Sequence, residues 1–240
     1  MQARGHYVAT PGTSAGRWRR DPRAGWFAIA AFALAVLVLL TLVAMAWPVF
    51  RQLDQAISAG IRSTRGPVLT DVAIAFTFLG STAFILPATL ALMVWMALRR
   101  NWAAVLYIFM TVGMGWFLGN YVVKSLIHRQ RPVGFNIVPI PSDYSLPSGH
   151  TLAAFLFFAT LCVIVMLNAP TGRHLKRWLA VGSTVIILGV AWSRVYLGVH
   201  WFGDVVAACL FGGAWWLFTT ATYFGSVTEE KRVSPRPGGS

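Results

Sequence analysis

Residues 152–169 read LAAFLFFATLCVIVMLNA, an unbroken run without one charged side chain. At about 1.5 Å of rise per residue, a helix of this length nearly spans the roughly 30 Å hydrocarbon layer of a bilayer. The rest of the chain has the same character. Over 240 residues, 57% of side chains are hydrophobic, 11 are Trp and only 11% are charged, which is too apolar for a soluble domain of this size. Five further stretches qualify as spans: 26–48, 81–98, 102–123, 178–197 and 204–224. Within 178–197 only 178–193 is uncharged, so a full span there has to take in Arg194. The expected fold is an all-α membrane protein with six transmembrane helices.

The segments between spans set the orientation. With both termini inside, 13 of the 20 Lys and Arg are cytoplasmic: Arg4, Arg17, Arg19, Arg20 and Arg23, then Arg99 and Arg100, then Arg173, Lys176 and Arg177, then Lys231, Arg232 and Arg236. That is the positive-inside bias. The net charge of +13 is mainly a topology signal, with some attraction to anionic lipid. Nucleic acid is not an expected partner, because no polar face interleaves aromatics with Lys and Arg. No obligatory protein partner is evident either. The first apolar run, 27–46, exceeds the core of a cleaved signal and reads as a retained anchor. Cys162 and Cys209 fall inside spans, which suits small core residues rather than a disulfide framework or a zinc site. Residues 1–24 and 225–240 have the composition of disordered cytoplasmic tails, and 25–224 form one domain of the cell membrane. In 51–80, Leu53, Ile57 and Ile61 recur at helical spacing beside Asp54, Arg62 and Arg65, which predicts a helix lying on the outer surface.

Seven basic residues remain outside, and four of them, Lys124, Arg129, Arg131 and Arg194, sit at the outer ends of two spans. Three short segments gather there. KSLIHRQRP (124–132) would put Lys124 and Arg131 on one face about two turns apart if the helix persists, although Pro132 disfavours helix just before it. LPSGHT (146–151) resembles a helix start, with Ser148, Gly149 and His150 where free N–H groups attract an anion. SRVYLGVHWFGD (193–204) holds Arg194, His200 and Asp204, with the carboxylate four residues from the imidazole. Alone, each suits a plainer role: snorkelling cations, a connecting turn, a capped helix. Together they supply cations to neutralise phosphate oxygens, amides for developing charge, and two histidines for nucleophilic and acid roles. Few outer carboxylates are available for a two-metal site, so no metal or cofactor is expected.

Lys124 with Arg131 and Pro132, Pro147-Ser148-Gly149-His150, and Ser193-Arg194 followed by His200 and Asp204 resemble the three-part signature of the type 2 phosphatidic acid phosphatase superfamily. Every signature position is matched, and size and layout are most similar to bacterial lipid phosphatases of the phosphatidylglycerophosphatase B and undecaprenyl diphosphate phosphatase type. The resemblance implies an extracytoplasmic active site acting on a membrane-embedded lipid phosphate. His200 would form a phosphohistidine, Asp204 would orient it, and His150 would protonate the leaving group. Lys124, Arg131, Ser148, Gly149 and Arg194 would hold the phosphate. A lipid-to-lipid phosphotransferase of the same fold and an anion transporter are the alternatives.

Overall fold

A computed structural model of the chain describes residues 48–170 and 172–233. Among these residues every regular element is helical: α1 (Pro48–Ser63), α2 (Pro67–Leu79), α3 (Thr82–Leu98), α4 (Trp102–Ile127), α5 (Gly149–Asn168), α6 (Arg173–Tyr196) and α7 (Phe202–Val233). The expected first span lies, apart from Pro48, outside the described residues. The basic segment 1–24 and residues 234–240 also lie outside them.

Four helices, α4 to α7, are long and apolar enough to cross a membrane, and α2 with α3 qualifies as a fifth span bent by 41°. Large apolar side chains stay exposed along single helix faces: Leu86, Leu90, Val94 and Leu98 on α3, and Val181, Val185 and Leu188 on α6. Their three- and four-residue spacing is one helical stripe, which lipid covers without penalty. The chain is a multi-pass membrane protein.

The helix expected over 51–80 is split in two, and its amphipathic part ends with α1. Gly66 and Pro67 end it, and the ring of Pro67, which needs no amide partner in a first turn, starts the apolar α2. At the far end of the domain, α7 does not stop at 224 but continues as helix to Val233.

The middle of the bundle is α5, where Leu152, Ala154, Leu156 and Ile164 are wholly enclosed by neighbouring helices. Lipid tails are as apolar as leucine, so burial alone drives little of this association, and close packing and interhelical hydrogen bonds matter more. Two such bonds tie α4 to α7: Tyr107 pairs with the Thr220 hydroxyl at 2.8 Å, and Thr111 donates to Thr219 at 2.9 Å. Asn101 joins the start of α4 to the end of α5, donating through Nδ2 to Asn168 Oδ1 at 3.0 Å. With these ends pinned, the C-terminal ends of α4 and α6 and the N-terminal ends of α5 and α7 meet at the opposite end of the bundle.

Candidate active site

Lys124 reaches that end through an irregular helix. Two π segments, Phe109–Met114 and Leu118–Val123, widen α4 and rotate the later residues out of the ordinary helical phase. Lys124 comes immediately after the second and is almost fully buried. The helix then stops at Ile127, where His128 takes a left-handed conformation at φ 50°. Lys124 and Arg131 therefore do not share two turns of one helix. The break turns Arg131 back toward the bundle, and both cations converge on one carboxylate, Asp143.

Arg131 organises the loop from 128 to 148. Its Nε donates to the Asp143 carbonyl at 2.8 Å, and NH2 donates to Asp143 Oδ1 at 2.6 Å and to the Tyr144 carbonyl at 3.2 Å. NH1 donates to the Val199 carbonyl at 2.9 Å and lies 2.8 Å from His200 Nε2. A guanidinium can only donate, so Nε2 carries the lone pair and the proton sits on Nδ1. That Nδ1–H faces Asp204 Oδ2 at 3.3 Å. The spacing of four read from the sequence thus brings the carboxylate to Nδ1, and Nε2 is left facing Arg131.

Asp204 is itself fully engaged. Its Oδ2 accepts from the Trp201 N–H at 2.8 Å and from the Ser145 hydroxyl, and its Oδ1 accepts from Arg129 NH1 at 2.8 Å. Behind Arg129 stands Asp54 of α1, which takes the other guanidinium nitrogen and also accepts from the Gly203 N–H at 2.7 Å. Ser58, one turn on, accepts from the Phe202 N–H at 2.9 Å. The free amides at the start of α7 are therefore capped by a different helix. Burial pushes the His200 imidazole down to about 4, with Arg131 and Arg194 adding to the effect and Asp204 opposing it. The ring is neutral at ordinary pH. Burial would raise the Asp143 carboxyl, but Lys124 and Arg131 outweigh that and hold it below the usual carboxylate range.

The LPSGHT segment forms the third wall. Ser148 is the cap residue of α5, and its N–H donates to the Asp204 carbonyl at 3.1 Å, tying this turn to α7. Its hydroxyl accepts from Thr151 at 3.0 Å instead of capping the helix. Gly149 is required by space: a Cβ there would come within 2.5 Å of Asn120 Oδ1 on α4. At the bend between α2 and α3, a Cβ on Gly80 would meet the His150 carbonyl at 2.8 Å, so that bend seats the first turn of α5. His150 lies within electrostatic reach of Arg194, His200, Lys124 and Arg131. Arg194, buried in the last turn of α6, donates through NH1 to Thr77 at 2.6 Å, and its buried Nε has no partner among the described residues.

All eight residues expected at the site are thus at one end of the bundle. Four others outside the expected set hold them there: Asp54, Arg129, Asp143 and Ser145. In the sequence Arg129 reads only as an outer cation. Asp143 carries a usable signal, being the only acidic residue between Asp71 and Asp204.

Comparisons with known proteins identify the family of this all-helical membrane bundle with its buried, carboxylate-facing histidine. The profile of the PAP2 superfamily matches residues 102–227, and the chain belongs to that superfamily. It is 32% identical to phosphatidylglycerophosphatase B of Bacillus subtilis (strain 168) over 66% of this chain and 77% of that protein. It is also 32% identical to an undecaprenyl-diphosphatase of Sulfolobus acidocaldarius, over 47% of this chain and 51% of that one. Among solved structures, the transmembrane PAP2 type phosphatidylglycerolphosphate phosphatase from Bacillus subtilis superposes with a TM-score of 0.74 at 28% identity, covering 85% of this chain and 98% of that one.

Proposed function

We propose that this protein is an integral-membrane phosphatase that removes a terminal phosphate from a lipid phosphomonoester or diphosphate through a phosphohistidine on His200. The observation that carries the reading is the orientation of that ring, with Nδ1 toward Asp204 and Nε2 toward the cation Arg131. The relatives' names, which specify phosphatidylglycerol phosphate and undecaprenyl diphosphate as substrates, support lipid phosphates as the class.

In the first step the Nε2 lone pair forms the N–P bond while the P–O bond to the leaving group breaks. His150 gives its proton to the departing oxygen. Lys124, Arg131 and Arg194 balance the charge on the equatorial oxygens, and the amides at the start of α5 face the same charge. In the second step water attacks phosphorus, the N–P bond breaks, and the water proton passes to His150. Inorganic phosphate leaves. The three carboxylates near the histidine, Asp54, Asp143 and Asp204, are each already paired with Arg or Lys, so charge balance is assigned to cationic side chains rather than a metal. Both termini are assigned to the cytoplasm and the site to the extracytoplasmic face of the cell membrane, on the distribution of basic residues.

The test is phosphate release by the purified protein from phosphatidate, phosphatidylglycerol phosphate, and polyprenyl mono- and diphosphates, with excess chelator and no lipid acceptor. At least one substrate should be cleaved at an undiminished rate. Cleavage that needs an alcohol acceptor would make the protein a phosphotransferase, and activity restored only by added magnesium would overturn the metal-free scheme.

A further inference from the structure

Lys124 and Arg131, two of the cations assigned to phosphate, are not waiting empty-handed: both are paired with Asp143. The two cations are buried, with side chains 5% and 6% exposed, whereas the Asp143 side chain is 48% exposed. The carboxylate is therefore the outermost of the three groups, with the two cations enclosed behind it. It also resembles a phosphate in its bonding, since its oxygens accept from the same ammonium and guanidinium groups that suit one. Its backbone is held independently, because Arg131 Nε grips the Asp143 carbonyl and the Ser145 N–H donates to the Arg129 carbonyl at 2.8 Å. The side chain can swing out to water without unravelling the loop.

We propose that Asp143 is the resident anion of the phosphate cradle, and that exchanging it for the incoming phosphate sets the affinity threshold that admits terminal phosphates and keeps phosphodiester lipids out. This rests on the phosphatase reading above and adds to it a residue that sets the affinity an anion must exceed to enter. Displacement costs every anion the same two contacts. A terminal phosphate carries about −1.5 to −2 charges at neutral pH and three free oxygens, and so exceeds the carboxylate it replaces. A phosphodiester carries one charge and gains little by the exchange. The surrounding bilayer is made of phosphodiesters, so without such a threshold the site would be filled by the lipids around it.

The experiment uses the full-length protein in detergent micelles, comparing wild type with Asp143→Asn and Asp143→Ser. Binding of inorganic phosphate and of dimethyl phosphate is read by calorimetry, and turnover is read with and without excess phosphatidylglycerol in the micelle. Both variants should bind both anions about tenfold more tightly than wild type, because the two charge-assisted contacts of the carboxylate no longer have to be broken. Phosphatidylglycerol should inhibit the variants while leaving wild type almost unaffected. Weaker or unchanged anion binding in the variants would overturn the inference and make Asp143 a strut that positions Lys124 and Arg131. Failure of both variants to fold would overturn it in the same way. Calorimetry needs no turnover, so a wild-type protein that cleaves no lipid phosphate would sink the phosphatase reading, and the threshold would still stand or fall by the sign of the binding change.

Discussion

His200 Nδ1 faces a carboxylate, Asp204, whereas Nε2 faces the guanidinium of Arg131, which holds a second carboxylate, Asp143, and the two environments differ in kind. On the Nδ1 side, Asp204 is fully buried and receives four donors, with Arg129 locked between it and Asp54. On the Nε2 side, Asp143 is half-exposed, is paired with Lys124 and Arg131, and shares Arg131 with the histidine. The first arrangement has no exchangeable member, since every donor is engaged inside the protein. In the second, water can replace the carboxylate. One side of the ring fixes the tautomer, and the other is open to ligand exchange.

The largest way to break this contrast is through Arg129. Its replacement by Gln leaves Asp204 and Asp54 buried without a counter-charge, so the variant should lose about 3–5 kcal/mol of stability, seen as a lowered thermal midpoint in detergent. An unchanged midpoint would mean that the network behind Nδ1 is as exchangeable as the one in front. Next comes His150→Ala, which should slow lipid substrates about 100-fold while an aryl phosphate with an activated phenolate recovers most of the rate. Equal loss on both substrates would contradict the acid role. Asp54→Asn is milder, because the amide oxygen still accepts from Gly203, and about 1 kcal/mol of stability with little change in KM is expected. The smallest effect concerns His200 itself. Its cation is disfavoured by burial, so protonation should be half complete near pH 4 rather than 6.5. Nitrogen NMR of labelled histidine should show a neutral Nδ1–H ring between about pH 5 and 7, and a protonated ring at pH 6 would contradict it.

The front of the site is more legible in the sequence than the back. Lys124, Arg131, His150, Arg194, His200 and Asp204 lie in short motifs whose spacing is itself the signal, and long uncharged runs mark α4, α5, α6 and α7. The residues behind Nδ1 come together through contacts that no local period encodes. Asp54 lies 150 residues from Asp204, and its role depends on α1 folding over the start of α7. The placement of Lys124 relative to Arg131 departs from the two-turn expectation for a similar reason. Two π segments and a left-handed residue at His128 set it, and neither can be read from hydropathy. The break between α1 and α2 has a visible cue in Gly66-Pro67, but the amphipathic pattern preceding it dominates the reading of 51–80.

The central claim is that phosphate passes through a covalent bond to His200 Nε2. Rapid acid-free quenching of the enzyme after mixing with a lipid phosphate labelled in its terminal group, followed by denaturing electrophoresis, tests it most directly. Wild type should carry an acid-labile, alkali-stable label that is absent from His200→Ala, whose turnover should fall by a factor on the order of 10⁴ or more. Label retained in His200→Ala, or turnover by wild type with no labelled protein at any time point, would contradict the account.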